Sequence, residues 1–458
     1  MSKINENKLV PKLRFSDFAG EWEKDELGNL IEIKGRIGYR GYTVNDIVGI
    51  GEGAISLSPS NISDNNLLQF EKSTYITWEK YNESPEIQLK DGYTVLVKTG
   101  SSYGKAALIK NLPEKSTINP QLVVLKPNKI DKRFLFYIVS NAPVQKQIEA
   151  SVVGGAIPTL SQESISKFEV LIPPDKDKSE QKKIAACLSS LDEVITAESQ
   201  KLEVLKEHKK GLLQNLFPQS RLNRDLSDEM MSMMGTKKNQ GNQENQKNQG
   251  SDNVPKVRSK EFEDSGEWME TTLGEIGEPL MCKRIFKEET TPNPNNGVPF
   301  YKIGTFGRSA DAYISKEIYE EYKSKYSFPR IGDILISASG TIGRLVIYDG
   351  SPAYFQDSNI IWLGHYEDAV LNRFLLYCYS NLTWQTSDGG VISRLYNSDF
   401  KRMKIKYPDN KEEQEKIADT LSSIDELIIA QTQKIEALQL HKKGLLQGLF
   451  PNLNEVTE

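Results

Sequence analysis

The chain carries one 38-residue segment twice. Residues 181–218 read QKKIAACLSSLDEVITAESQKLEVLKEHKKGLLQNLFP and residues 414–451 read QEKIADTLSSIDELIIAQTQKIEALQLHKKGLLQGLFP, with 25 identities in 38 positions at a constant offset of 233. A long internal repeat decides the layout before any single motif is weighed, because each copy must be one unit of a repeated architecture. The sequence ahead of each copy has diverged much further, so one scaffold carries two unlike modules.

The modules are themselves distant copies. Pro11-Lys12-Leu13-Arg14, Gly20-Glu21-Trp22 and Leu27-Gly28 return as Pro255-Lys256-Val257-Arg258, Gly266-Glu267-Trp268 and Leu273-Gly274. Gly92, Gly100 and Gly104-Lys105 return as Gly332, Gly340 and Gly343-Arg344, and Gly154-Gly155-Ala156-Ile157 returns as Gly389-Gly390-Val391-Ile392. Alternating runs at 93–97, 122–125, 333–337 and 359–363 predict strands, and amphipathic stretches at 133–149 and 370–385 predict helices. Strands and helices mixed in this way predict an α+β module in each half.

Within the repeat, Ile184, Leu188, Leu191, Ile195, Leu202, Leu205, Leu212 and Leu216 follow steps of four and three, skipping only Glu198 and Lys209. The second copy matches at Ile417, Leu421, Ile424, Ile428, Ile435, Leu438, Leu445 and Leu449, with Gln431 and Lys442 in the skipped slots. Such a seam predicts a coiled coil. A parallel pair would bring Lys209 against Lys442, so the seam predicts an antiparallel one. Each helix would be on the order of 50 Å long at ~1.5 Å per residue, comparable with one turn of B-DNA at ~34–36 Å. Caps are expected at Ser179 and Asn410, and stops before Pro218 and Pro451.

The polar face is repeated too. Gln181/Gln414, Asp192-Glu193/Asp425-Glu426 and His208-Lys209-Lys210/His441-Lys442-Lys443 recur, and a solvated surface needs no such copying. Gln181, His208, Lys210, Gln414, His441 and Lys443 are therefore candidates for a partner bound once by each helix.

Apolar content of 38% and charged content of 26% are ordinary for a globular chain. The segment MSKINENKLV has no apolar core of a secretory start, and no run of ~18 apolar residues predicts a membrane span. Cys187, Cys282 and Cys378 stand apart without metal spacing, so they read as small hydrophobes in a reducing cytoplasm. The stretch GTKKNQGNQENQKNQGSDN at 235–253 has no apolar residue and reads as a flexible linker.

Catalytic motifs are missing. No strand-linked GxGxxG, no GxxxxGK[ST] and no Ser/His/Asp or Cys/His grouping occurs. Pro174-Asp175 with Glu180-x-Lys182 has the letters of a nuclease site, but the spacing is too tight and Lys182 becomes Glu415 in the second copy. Ile172-Pro173-Pro174-Asp175 reads as the cap of the repeat helix instead.

Loops suited to nucleic acid are present. Lys34, Arg36, Tyr39 and Arg40 share a glycine-rich stretch; Ser101, Tyr103 and Lys105 share a second. The other half offers Lys283, Arg284, Ser339, Thr341, Arg344 and Arg394. Arginine and lysine suit guanine edges and phosphates, and hydroxyls suit several bases. Charge limits the inference: residues 20–175 hold 17 Lys/Arg against 19 Asp/Glu, and residues 267–407 hold 16 against 17. Phosphate neutralisation dominates affinity, so near-neutral modules should bind DNA weakly alone.

The arrangement resembles the specificity subunit of type I restriction–modification enzymes over nearly the whole chain. The Pro-Lys-x-Arg, Gly-Glu-Trp and Leu-Gly segments, the glycine turn, Ile157-Pro158-Thr159-Leu160 and the helix ending His-Lys-Lys-Gly-Leu-Leu-Gln carry the likeness. It implies an α+β fold: two mixed α/β target recognition domains separated by two long helices packed as an antiparallel coiled coil, a pseudo-two-fold internal repeat. On this sequence the domains fall at 1–178 and 255–410, the spacer helices at 179–218 and 411–451, a linker at 219–254 and a tail at 452–458. The linker is longer than the short connector such an arrangement needs.

The resemblance also implies a non-catalytic, cytoplasmic subunit whose domains each read half of a split, asymmetric DNA target. Two methyltransferase subunits and restriction/translocase subunits would join it, bringing S-adenosylmethionine, ATP and Mg for adenine methylation and cleavage; this chain itself would hold no cofactor and no metal. Two other readings remain open from the residues alone: a DNA enzyme in its own right, and a scaffold for proteins rather than DNA.

Overall fold

A computed structural model describes residues 9–38, 41–151, 159–218, 253–384 and 394–451. The chain forms two compact units, the first from 1–200 with 433–458, the second from 201–432. Each long helix is therefore split by the division: Ser179–Leu216 starts in the first unit and ends in the second, and Lys411–Leu449 does the reverse. The spacer helices are thus not separate from the modules.

The first unit contains ten short strands among the described residues. β1 (Glu23–Glu26) pairs antiparallel with β10 (Glu169–Ile172). β2 (Ile31–Gly35), β9 (Leu122–Pro127), β6 (Thr94–Val97) and β7 (Ala106–Leu108) form an antiparallel sheet in that order. A second sheet runs β3 (Ile47–Val48), β5 (Thr74–Ile76), β4 (Ala54–Leu57), β8 (Ser116–Ile118), with β4 and β8 parallel. Every residue of β6 is buried, because the sheet is covered on both faces. Leu96, Val123 and Leu125 point one way, onto Phe134, Leu135 and Ile138 of the helix Lys132–Ser140. Val95, Val97, Leu122 and Val124 point the other way, onto Ile55 and Leu57 of the second sheet. The two-residue side-chain period of a strand makes that division unavoidable.

The second unit repeats this frame strand for strand. β11 (Met269–Thr272) pairs with β20 (Lys404–Tyr407). β12 (Glu278–Leu280), β19 (Ile360–Gly364), β16 (Ile334–Ser337) and β17 (Leu345–Ile347) reproduce the central sheet. β13 (Thr290–Thr291), β15 (Tyr313–Ser315), β14 (Gly297–Tyr301) and β18 (Tyr354–Phe355) reproduce the other, again with one parallel pair, β14 with β18. The α+β class and the internal repeat are therefore present.

The recurring opening segment anchors each module to the start of its own long helix. Arg14 makes a two-pronged ion pair with Glu180, at 2.8 and 2.8 Å, and Arg258 does the same with Glu413, at 2.8 and 2.7 Å. The repeated Leu-Gly allows close approach: a Cβ on Gly28 would lie 2.7 Å from Cβ of Ser166, and one on Gly274 2.9 Å from Cβ of Lys401. Asp175 Oδ2 accepts from the Glu180 amide at 2.8 Å and Asn410 Oδ1 from the Glu412 amide at 2.8 Å, so both long helices are capped, the first by Asp175 rather than by the expected Ser179, which is its first helical residue.

Each module is closed by the far end of the helix that began in the other. In the first unit Phe450 stacks on Phe134 at 5.3 Å and meets Trp22 edge-on at 6.0 Å. In the second, Phe217 stacks on Phe374 at 5.4 Å and meets Trp268 edge-on at 5.7 Å. The Leu13 amide donates to the Gly448 carbonyl at 2.8 Å, and the Val257 amide donates to the Asn215 carbonyl at 3.0 Å.

The long helices run antiparallel within each unit. In the first, Asp192 faces Lys442 and Glu198 faces Lys434; in the second, Lys209 faces Asp425 at 2.5 Å. The skipped lysines of the seam thus meet aspartates. Two expectations need correction. The predicted helix 133–149 is two helices, Lys132–Ser140 and Ala142–Ser151. Asn141 is extended and its Oδ1 accepts from the Ala142 amide at 2.9 Å, while Pro143 can only occupy the first turn of a new helix. The second predicted helix ends at Asn381. Most of the predicted linker, 219–252, lies outside the described residues, but Asn253 belongs to the second unit: its carbonyl accepts from the Trp268 amide at 2.9 Å.

Candidate nucleic-acid interface

Strand pairing brings the predicted loops of each module to one end of its central sheet. In the first unit Gly35 ends β2 opposite Val123, and Val97 ends β6 opposite Leu122. The turn 98–105 joins β6 to β7 there, and a bridge between Thr99 and Thr159 adds the segment before β10. Lys34, Arg36, Ser101, Tyr103 and Lys105 all gather at this end. Gly100 and Gly104 have φ of +105° and +84°, so the turn itself demands glycine. Lys34 pairs with Glu32 at 2.9 Å, Lys105 pairs with Asp64 at 2.5 Å, Ser101 is exposed, and Tyr103 is half-buried against the core.

Arg36 is corrected as a surface cation. It is 5% exposed; its Nε donates to the Ile118 carbonyl at 3.0 Å and its Nη2 to Thr117 Oγ1 at 3.3 Å. Burial holds its pKa below the ordinary arginine value. The side chain ties β2 to the strand Ser116–Ile118, a role for which local sequence gives no sign. Tyr39 and Arg40 lie outside the described residues.

In the second unit three predicted residues converge on the turn that links β18 to β19, and Lys283 lies beside the strand before it. Arg284 Nε donates to Asp357 Oδ2 at 2.9 Å, Arg394 Nη2 to the Ser358 carbonyl at 3.4 Å and Ser339 Oγ to Asn359 Oδ1 at 2.8 Å. The Lys283 carbonyl accepts from Tyr354 Oη at 3.0 Å, and its ammonium lies 5.1 Å over the Tyr326 ring. A bridge between Ser339 and Arg394 closes the cluster. Ser339 itself is buried, which removes its hydroxyl from direct readout. Thr341 is exposed, and its carbonyl accepts from Ser337 Oγ at 2.6 Å. Arg344 is half-buried and donates through Nη1 to the Phe306 carbonyl at 2.7 Å. Asp357 and Ser358 escaped sequence reasoning; the polar run Gln356-Asp357-Ser358-Asn359 ahead of an apolar strand was the available signal.

The repeated polar residues of the helices divide in two. Gln181 and Gln414 are buried and corrected as partner candidates. Gln181 Oε1 accepts from the Asp131 amide at 2.9 Å. Gln414 Oε1 accepts from the Leu371 amide at 2.9 Å, and its Nε2 donates to the carbonyls of Ala369 and Pro408, each at 2.8 Å. Both side chains fasten the helix of their own module. Asp192 and Asp425 likewise accept from Tyr137 Oη at 2.7 Å and Tyr377 Oη at 3.0 Å. Burial first, then the aspartate charge, raises the pKa of both phenols. His208, Lys210, His441 and Lys443 are exposed.

Among the described residues no group of three or more His, Cys, Asp or Glu could hold a metal ion, and no helix is long and apolar enough to cross a membrane.

The sequence pattern of the type I restriction modification DNA specificity domain matches twice, at residues 20–207 and 265–440. A putative type I restriction enzyme MjaX specificity subunit of Methanocaldococcus jannaschii is 24% identical over 456 residues, spanning 96% of this chain and 95% of that one. A putative type I restriction enzyme specificity subunit of Haemophilus influenzae is 52% identical over 155 residues, which cover 34% of this chain and 40% of that one. In fold, the chain is similar to the type I restriction–modification S subunit of M. genitalium, with a TM-score of 0.59, 17% identity and coverage of 97% of this chain and 100% of that one. Two matched domains, two repeated frames and two helices that each close the other's module agree: this chain belongs to the type I restriction–modification specificity subunits.

Proposed function

We propose that the chain is the non-catalytic DNA-reading subunit of a type I restriction–modification complex, and that each unit reads one half of a split, asymmetric duplex target. The long helices set the interval between the halves. Their exposed residues His208, Lys210, His441 and Lys443 receive methyltransferase subunits, which methylate adenine from S-adenosylmethionine. Restriction subunits add ATP- and Mg-dependent cleavage.

One observation carries this reading: a single strand order occurs twice, with unlike residues at the same sheet end. The first unit presents Lys34 and Lys105 there, the second Lys283, Arg284 and Arg394. Equal frames with unequal loops suit one scaffold reading two different half-sequences. Near-neutral modules suit a reader that needs other subunits to close around the duplex.

Mapping adenine methylation in a random duplex library tests it, using the full chain assembled with its methyltransferase partner. A bipartite target is expected, and replacing residues 267–407 with another module should change one half alone. Methyl transfer by the chain without partners, or a change in both halves, overturns the reading.

A further inference from the structure

The turn Gln356–Asn359 is rigidly held. The Gln356 amide donates to the Tyr301 carbonyl at 3.0 Å, Gln356 Oε1 accepts from the Ile303 amide at 2.9 Å, and the Ile360 amide donates to the Gln356 carbonyl at 3.1 Å. Ser358 takes a φ of +53°, a strained value for a residue with a Cβ, which turns its carbonyl towards Arg394. Two arginines from distant segments rest on consecutive residues of this one turn. Their partners differ in kind: Arg284 meets a carboxylate, Arg394 a neutral carbonyl.

That difference has a physical consequence. Arg284 is 60% exposed, while the Asp357 carboxylate is 17% exposed. An exposed ion pair adds little to stability, typically ~0–1 kcal/mol, so folding alone does not account for it. Asp357 engages Nε only, and Nη1 and Nη2 make no hydrogen bond among the described residues. With its charge offset, Arg284 gains less than a free cation from phosphate neutralisation. What it keeps is a planar fork whose two terminal nitrogens are left to donate, the donor pair that suits O6 and N7 of guanine. Arg394 keeps its uncompensated charge and suits a phosphate.

Resting on the proposed DNA-reading role, we infer that Arg284, buttressed by Asp357, reads a guanine in the second unit's half of the target, and that Arg394 takes a neighbouring phosphate. Asp357 is the positioning residue.

The test maps adenine methylation by the assembled complex on a library randomised in both half-sites. Arg284→Ala should lose preference for guanine at one position of one half, by roughly tenfold to hundredfold, and leave the other half unchanged. Arg284→Lys, which keeps the charge but not the paired donors, should lose the same preference. Asp357→Asn should weaken that preference while steepening the salt dependence of binding, because Arg284 becomes an uncompensated cation; a merely structural role would not move the salt slope. Arg394→Ala should lower binding evenly across sequences and reduce the slope by about one. If both Arg284 variants keep every base preference, the assignment to guanine is overturned while the bipartite reading stands. If the wild-type complex shows no bipartite target, the parent reading falls and this one with it.

Discussion

Lys442 Nζ lies 2.5 Å from Asp192 Oδ1, and the same aspartate accepts from Tyr137 Oη at 2.7 Å. One carboxylate therefore ties the end of the second long helix to the start of the first and both to a module helix. Lys209, Asp425 and Tyr377 repeat the arrangement in the second unit. Hydrogen bonds to charged groups contribute ~1.5–3 kcal/mol each, so Asp192→Ala should destabilise the first unit by about 2 kcal/mol. Urea unfolding of the single variants and of Asp192→Ala with Lys442→Met gives the coupling. Additive effects would show that the pair is incidental.

The buried Arg–Glu pairs should be the most sensitive polar sites. Breaking such a pair typically costs ~3–5 kcal/mol, because one charge is left buried alone. Glu413→Ala should be worse than Glu180→Ala by about 1 kcal/mol. Glu413 also accepts from Trp268 Nε1 at 3.3 Å, whereas Trp22 Nε1 has no hydrogen-bond partner among the described residues. Thermal melts of the two variants, side by side, give the order.

Gln414→Ala should lower the stability of the second unit by about 2–3 kcal/mol, close to 1 kcal/mol for each lost bond. It should leave co-purification of a methyltransferase subunit unchanged at saturating partner. Lys210→Glu with Lys443→Glu should do the opposite. A stable Gln414→Ala chain that no longer captures the partner would reverse the assignment of that glutamine.

Burial pushes the Cys282 thiol up to about 12 and the Cys378 thiol higher still. A raised thiol pKa keeps the unreactive neutral form dominant at neutral pH. Alkylation of the folded protein should therefore stop at half-buried Cys187, and the other two should react only on unfolding. Mass spectrometry of labelled peptides reads the result directly.

Four residues inserted into one long helix add ~6 Å and turn it by little more than one revolution. The methylated target should keep both half-sequences with a spacer longer by ~2 base pairs at 3.4 Å each, or lose activity altogether. An unchanged spacer would sink the ruler.

Much of this fold could be read from letters alone. The repeat, the strands around Val95, Val124, Leu335 and Ile361, and the caps at Asp175 and Asn410 all follow from local pattern. Even the antiparallel pairing followed from two lysines that could not share a seam. Reading partners from repetition went astray at Gln181 and Gln414, because a residue copied to hold its own module looks the same in sequence as one copied to hold a stranger. Arg36 misled for a related reason: its acceptor, the Ile118 carbonyl, stands 82 residues away, and no short-range rule registers such a neighbour. The turn at Asp357 left only a polar run as its mark in sequence, and that Arg284 and Arg394 both reach it is visible only in the fold.

Phe217 and Phe450 each plug a core that their own helix did not start in. Cutting the chain after Pro218 would leave the front piece with a hollow where Phe450 belongs and a spare plug of nearly the same shape. Two such pieces could mend one another by exchanging tails.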